Sequence, residues 1–422
     1  MYFVKKQKKM EKSNKNDFSI FLEMIILIIF NKPYNIEMAV MYIKPSSWVE
    51  ISKSAFDLNI STYKSILDPY IKIGIVIKSN AYGHDTSTMA QLCEQNTSVD
   101  YICTNSLSEA LLARKRGVTK NLLVISLVDD NPKLAIEKNI RLIGHNFKQI
   151  QQFNEIGAKE NRKVSIHLKI DTGMTRLGFF PAELLKSIDT IIQMPYINIE
   201  GIFTHFAESS KTKSEFTRYQ IEQFTKIIDK LDNKGINIPL RHTSNTAGVP
   251  QTRGINTINM IRMGAGAFGF YTSPTNRKLL ESLNNKFNLT PILTWKTKVF
   301  TIKNVPKNRY VGYARTYKTK KNTTLGYLPI GYSDGLDKNL SNKGFVYLSK
   351  QKKFVPIVGL ICMNMTIIDL TGIPEINEGD EVVLIGNHEK ISAQTIDKMV
   401  KTESARQVTA QIVSNIPRII VP

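Results

Sequence analysis

The stretch "IKIGIVIKSNAYGHD", residues 71–85, runs an apolar segment into a lysine. Ile71, Ile73, Ile75, Val76 and Ile77 read as a buried strand. Lys78 stands at its downstream end, and Ser79, Asn80 and Ala81 open a turn. Two fates are open to such a lysine. Its alkyl stem can lie along the core while the ammonium reaches water. Alternatively, its amine can sit in a partly dry pocket, lose its proton and attack a carbonyl carbon. The stretch alone leaves both open.

Outward from this point the same kind of run recurs at residues 100–105, 122–127, 140–145, 164–170, 199–205, 240–245 and 260–269. Between most of these runs lie helical patterns such as "SLSEALLARKRG" and "SEFTRYQIEQFTKIIDKLDNKG". Strand–helix alternation implies parallel strands, and eight such units predict a (β/α)8 barrel of the TIM type. After about residue 285 the apolar runs come close together with turns between them, as in "TTLGYLPIGYSDG", "KGFVYLSK" and "DEVVLIG". This predicts a mainly antiparallel β domain with one helix near residues 392–401. The expected division is an extension over 1–43, a barrel over 44–284 and a β domain over 285–422.

The extension differs in character. A lysine-rich opening precedes "FSIFLEMIILIIF", residues 18–30, a run interrupted by Glu23 and too short to span a membrane. It resembles a signal segment without a clean cleavage pattern; a mis-assigned start, with translation beginning at Met38 or Met41, is the preferred reading. Lys and Arg number 57 against 36 Asp and Glu, for a formal charge of +21. The excess lysine is scattered, with no basic helix, zinc-finger spacing or RNA-binding signature, which argues against a nucleic-acid partner. The three cysteines, Cys93, Cys103 and Cys362, form no CxxC pair. That argues against a structural zinc site and for a reducing, cytoplasmic setting.

Active sites of such barrels gather at the C-terminal ends of the strands. Those ends carry Lys78, Lys169 with Asp171, His205, then Ser244, Asn245 and Thr246, and finally Arg262. The loops after strands seven and eight, "HTSNTAG" and "RMGAGAFG", combine hydroxyls with glycine-permitted backbone N–H groups, as a phosphate monoester requires. Glycines that merely let a turn close would read the same. A lysine on one side of the mouth and a phosphate cup on the other together suggest pyridoxal phosphate.

Eight segments, in order, carry a resemblance: "VIKSNAYGHD", "HLKIDTGMTRLGF", "THFAES", "HTSNTAG", "MIRMGAGAFG", "VGYARTY", "LPIGYSDG" and "GLICMNM". They are similar to the successive signatures of the alanine racemase family. The resemblance implies a pyridoxal 5′-phosphate enzyme that interconverts L- and D-alanine by two bases and supplies D-alanine for peptidoglycan. It implies that Lys78 carries the cofactor as a Schiff base. Tyr82, Thr246, Gly264, Ala265 and Tyr332 would reach the phosphate, with Asn245 in the same loop. Arg262 would face the pyridine nitrogen with His205 behind it. Arg176 would meet the cofactor hydroxyl and the substrate carboxylate, and Lys169 would be carbamylated so that an anion orients Arg176. Tyr313 would be the second base and Met363 a substrate contact, both arriving from the partner in a head-to-tail homodimer with composite sites. No metal is implied. Three positions depart from the pattern: Asn364 where many members carry Asp, Ser414 where many place a pocket-narrowing tyrosine, and Arg406 at a commonly aromatic position. They bear on strict alanine specificity. The rival readings are a broad-specificity amino-acid racemase and a non-catalytic pyridoxal-phosphate carrier; a carrier would lack the second domain.

Overall fold

In the computed structural model the described residues are 46–211 and 214–422. The extension, with its start-site and signal-like readings, lies outside them. Strand β1 (Ser47–Ser52) is followed by the helix Lys53–Lys64, whose N-terminus is capped by the Ser52 hydroxyl. Eight parallel strands then close on themselves: β2 (Lys72–Val76), β3 (Tyr101–Ser106), β4 (Asn121–Leu127), β5 (Ile140–Gly144), β6 (Val164–Lys169), β7 (Ile197–Phe203), β8 (Leu240–Asn245) and β9 (Met260–Met263). The last of them returns to the first, with Ile73 opposite Ile261 and Gly74 opposite Arg262.

Alternation along the strands sorts the side chains. Ile73, Ile75 and Ile102 face the surrounding helices and join the large outer core. Val76, Tyr101, Cys103, Leu123, Leu240 and Met260 form a second cluster inside the barrel. Gly74 points inward as well, and a Cβ there would lie 2.8 Å from the Met260 methyl. Small and large residues thus share one layer, and the barrel is a filled core rather than a pore.

The second domain comprises β10 (Leu293–Lys298), β11 (Thr301–Val305), β12 (Tyr310–Val311), β13 (Tyr317–Lys318), β14 (Thr323–Leu328), β15 (Phe345–Leu348), β16 (Lys353–Pro356), β17 (Thr366–Asp369), β18 (Glu381–Ile385) and β19 (Arg418–Val421). They form sheets of six, three and two strands, and the six-stranded one runs β16-β15-β18-β10-β1-β19. Strand β1 therefore belongs to this sheet, although it falls in the stretch expected to be barrel. It pairs antiparallel with β10 and parallel with β19. The alternation of "SWVEIS" signals a strand but cannot say which sheet will take it. The buried Trp295 indole donates to the Ser47 hydroxyl at 2.9 Å and ties the two ends of this arrangement together.

The C-terminal segment is wedged between the domains. The helix Ala405–Ala410 lies so close to Gly83 that a Cβ there would sit 1.9 Å from the Thr409 carbonyl oxygen. Arg418 fastens the segment by donating to the carbonyls of Gly83 (2.9 and 3.2 Å), Ile412 (3.0 Å), Val413 (2.6 Å) and Ile416 (2.5 Å). Arg418→Ala should therefore destabilise the fold by about 1–3 kcal/mol, the usual cost of stranding buried carbonyl acceptors. The measurement is a lowered denaturant midpoint at unchanged slope. Arg418→Lys should recover little, because one ammonium cannot span four carbonyls. An unshifted midpoint would mean that something else holds the segment.

Candidate active site

The sharpest local feature lies directly after β2. Ser79, Asn80, Ala81 and Tyr82 adopt φ values of 55°, 51°, 50° and 55°, a full left-handed turn built from residues with side chains. Each costs roughly 1–2 kcal/mol relative to right-handed backbone. The turn persists because its polar groups are claimed from several sides. Ser79 N–H donates to Glu109 Oε1 at 2.6 Å, and Asn80 Oδ1 accepts from Thr86 N–H at 3.1 Å. His84 is fully buried, and desolvation drives its pKa down to about 3, so the ring is neutral and its Nδ1–H donates to the Ala81 carbonyl at 2.9 Å. The turn sets Lys78 at its start and Tyr82 at its end, both facing the barrel mouth.

A cavity of about 470 Å³ opens there. Lys78, Tyr82, His205, Asn245, Thr246, Arg262, Gly264 and Ala265 all line it. Burial, then the charges of Arg176 and Arg406, lower the Lys78 pKa. Among the described residues its amine has no hydrogen-bond or ion-pair partner. Tyr82 is pushed up to about 12 by burial and stays a neutral hydroxyl donor. That hydroxyl occupies the space beside Gly264, where a Cβ would meet it at 2.8 Å. Thr246 Oγ1 accepts from the backbone N–H of Gly264 at 2.9 Å and of Gly266 at 3.3 Å, which joins the two loops into one cup. Asn245 Oδ1 caps its loop, accepting from Gly248 N–H and the Ser209 hydroxyl.

Arg262 is 2% exposed, and desolvation lowers its pKa to about 10. Its guanidinium donates to Nδ1 of His242 (2.6 Å) and of His205 (3.3 Å), and to the carbonyls of Thr204, His242 and Thr243. Burial holds both histidines well below their ordinary pKa. Since Nδ1 accepts in each, the proton sits on Nε2. His242 passes it on as a hydrogen bond to His167 Nδ1 at 2.8 Å. His167 in turn faces Glu200 at 3.6 Å. Burial opposes ionisation of Glu200, but His167, Tyr101 and Arg141 hold it at about 2. The nearest carboxylate in this line is two imidazoles away from Arg262.

Lys169 ends β6, 5% exposed, with its ammonium position 5.3 Å from the Phe203 ring centre. Burial, then Arg176 and Arg262, bring its pKa down to about 7. Asp171 is committed elsewhere: burial would raise its pKa, but four backbone N–H groups, from Gly173 to Arg176, outweigh it. They shape the loop that carries Arg176, which is exposed and outside the cavity lining.

Besides Arg176 and Lys169, three expected residues do not line this cavity. Tyr313, 71% exposed, Tyr332 and Met363 stand on the β domain. Tyr332 and Met363 belong to one loop pair, joined by Tyr332 N–H to the Cys362 carbonyl and Ser333 N–H to the Met363 carbonyl. Asn364 donates to the Ser333 hydroxyl in the same pair. Ser414, expected at the pocket, is exposed and lines no part of it, because it lies in the loop beyond the wedged helix. Arg406, within that helix, does line the cavity, and Thr272 joins it with a buried hydroxyl that has no partner among the described residues. Glu109 also serves the site without lining it; its signature is Ser106-x-x-Glu109 ahead of an apolar run, where Ser106 caps the helix and Glu109 reaches back to the turn.

An unpartnered amine, an orphaned hydroxyl, a glycine cradle and an excess of cations fit a phosphate ester that also carries an aldehyde. Residues 51–272 match the family described as alanine racemase, N-terminal domain, and residues 292–420 that described as alanine racemase, C-terminal domain. The chain is 34% identical to alanine racemase 2 of Caldanaerobacter subterraneus subsp. tengcongensis, covering 88% of this chain and 94% of that one. It is 34% identical to the alanine racemase of Methanococcus maripaludis, covering 88% and 98%. Among solved structures it is similar to an alanine racemase of Clostridium difficile 630, with TM-score 0.82 and 30% identity over 90% of this chain and 96% of that one.

The depressed Lys169 has a testable sign. Its amine is held near 7 in the folded protein, against ~10.4 in an unfolded chain. Between those values the folded state binds fewer protons than the unfolded one, so stability rises with pH there. Burying Lys169 therefore costs stability at pH 6, and the cost fades towards pH 10. Lys169→Met should be more stable than wild type at pH 6 by roughly 2–4 kcal/mol, with the gap closing by pH 10. Denaturant melts in carbon-dioxide-free buffer measure it; a gap independent of pH would show that Lys169 does not titrate in this way.

Proposed function

Since the chain belongs to the alanine racemase family, we propose that it interconverts L- and D-alanine with pyridoxal 5′-phosphate held in the cavity at the barrel mouth. The observation that carries the reading is the Lys78 amine, unpartnered and lowered in pKa at the wall of a cationic cavity. Bound pyridoxal phosphate would supply an aldehyde for an amino group and a conjugated ring that spreads the charge left when a proton departs.

The chain's own groups would do the rest. Tyr82, Thr246, Gly264 and Ala265 hold the phosphate. Arg262 would face the ring nitrogen and keep its own proton, because a guanidinium does not give it up readily. Arg176 binds the substrate carboxylate through a planar fork of donors. Lys78, once free, takes or returns the α-proton on one face. Tyr313 does so on the other, and its exposed position outside the cavity supports delivery from a second copy of the chain, with Tyr332 and Met363 alongside. The product is an isomer of the substrate, so no second substrate is required. D-alanine for peptidoglycan is the use we infer, in the cytoplasm, a setting supported by three unbridged cysteines. Among the described residues no helix is long and apolar enough to cross a membrane.

Purified protein reconstituted with pyridoxal phosphate should form D-alanine from L-alanine; failure with alanine alongside turnover of another amino acid would move the assignment to a broader racemase. The composite site is tested by mixing inactive Lys78→Ala and Tyr313→Phe subunits. Each mixed dimer contains one site with both wild-type groups, so part of the activity should return. No recovery after verified exchange would place both groups in one chain's site.

Lys169 gives a separate test. With its pKa near 7, a large share of its amine is uncharged at neutral pH and open to carbon dioxide, forming a carbamate anion with release of a proton. Arg176 and Arg262 would then face an anion rather than a cation. Carbon-13 bicarbonate should yield a carbamate resonance in the wild type that is missing from Lys169→Met, and its absence from the wild type would remove this role.

A further inference from the structure

The helix Ala405–Ala410 brings one charge to the cavity that the proposed chemistry has not used. It lies on Gly83, one residue beyond Tyr82, and is fastened there by Arg418. Arg406, in its first turn, lines the cavity together with Tyr82, Thr246, Gly264 and Thr272. Its Nε donates to the Ser404 hydroxyl at 2.8 Å, which fixes the base of the guanidinium. Among the described residues no acceptor and no carboxylate takes its two terminal nitrogens. Glu403, the carboxylate also lining the cavity, is exposed and makes no ion pair with it. A half-buried guanidinium with a fixed base and a free fork is an arrangement made for an anion with two oxygens to offer.

The remaining groups on this side are neutral. Tyr82 keeps its proton, Thr246 and Thr272 offer hydroxyls, and the Gly264 N–H is engaged by Thr246. The fork of Arg262 is filled by carbonyls and imidazoles. Lys78 is reserved for the aldehyde. Arg176 and Lys169 do not line the cavity. A phosphate ester carries between one and two negative charges near neutral pH, and such a cup would meet it with no formal charge unless Arg406 supplies one. The unpartnered, buried Thr272 hydroxyl lines the same cavity as Arg406 and is a second group there without a partner.

We propose that Arg406, with Thr272, forms a charged arm of the phosphate cup, so that the C-terminal helix binds the cofactor phosphate directly. The proposal rests on the pyridoxal-phosphate reading above and adds a cationic ligand to it, from a segment outside the barrel. It also changes the meaning of the departure at this position: the guanidinium serves the cofactor rather than widening the choice of substrate.

The test compares two aldehydes that differ only in the phosphate. The full-length protein, stripped of cofactor, is titrated with pyridoxal 5′-phosphate and with pyridoxal, following the absorbance change on binding. Arg406→Ala should weaken pyridoxal phosphate about tenfold to a hundredfold, the range for losing a hydrogen bond to a charged group, and leave pyridoxal unchanged. Arg406→Lys should fall between, and Thr272→Val should weaken only the phosphorylated form. Unchanged pyridoxal binding also shows that the variant is folded. Equal binding of pyridoxal phosphate by wild type and Arg406→Ala would overturn the proposal. So would equal weakening of both aldehydes, which would make Arg406 a structural residue. An altered KM for alanine or for an acidic amino acid with unchanged cofactor affinity would overturn it too, and assign Arg406 to the substrate. A wild type that binds neither aldehyde would instead remove the pyridoxal-phosphate reading itself.

Discussion

A left-handed turn of four residues with side chains is the constraint on which the site depends. Backbone of this hand costs roughly 4–8 kcal/mol over Ser79–Tyr82 if each residue carries its usual penalty. Strain of this size survives only where the surroundings leave the chain no alternative. Here they come from four parts of the molecule: Glu109 from the helix after β3, Thr86 from the helix that follows the turn, the buried neutral His84, and Arg418 from the C-terminal strand. The result is that Lys78 and Tyr82 point into one cavity although only three residues separate them. A right-handed turn in the same place would be easier to form and would aim them differently.

The same contacts make the barrel and the second domain interdependent. The helix Ala405–Ala410 sits on Gly83, while Gly335, in the "GYSDG" turn, comes within a missing Cβ of the Gln411 carbonyl. One short segment is therefore pressed between the turn that carries the lysine and the loop that carries Tyr332. Strand β1 works to the same end, since it starts the chain's path into the barrel but is hydrogen-bonded inside the other sheet. The cavity also gathers cations, and the one carboxylate among its described lining residues, the exposed Glu403, makes no ion pair with them. Glu200 is reached from Arg262 only through His242 and His167, and Asp171 is taken up by backbone N–H groups. Positive charge held away from its counter-charges is available to a bound anion.

The sequence was informative where its signals are local. Eight apolar runs at strand length became the eight barrel strands, and of the polar residues at their downstream ends Lys78, His205, Asn245, Thr246 and Arg262 became cavity wall, because a parallel barrel puts all those ends on one rim. What is decided by pairing over long distances was not legible. The alternation in "SWVEIS" could not reveal that β1 leaves the barrel for β10 and β19. The left-handed turn was hidden as well: "SNAY" contains no glycine, and two of the four clamps that hold it come from residues 30 and more than 300 positions away. At the C-terminus, a register chosen from sequence placed Ser414 at the pocket, while packing of the helix against Gly83 puts Arg406 there instead.

The two proposed bases are held by different means. Lys78 is fixed within its own chain, by the clamped turn just described. Tyr313 stands on a ribbon whose strands, β12 and β13, are two residues long, with Gly312, Ala314 and Arg315 at φ of 72°, 54° and 54°. A two-stranded ribbon of that length has little stability of its own, and this one leaves Tyr310 and Tyr313 largely exposed. Among the described residues its strained loop has no clamp comparable to Glu109 or Arg418. In the proposed dimer a second copy of the chain would supply the missing support. One face of the reaction would then be organised by folding and the other by association, so that a lone subunit binds cofactor and moves a proton on the lysine face only.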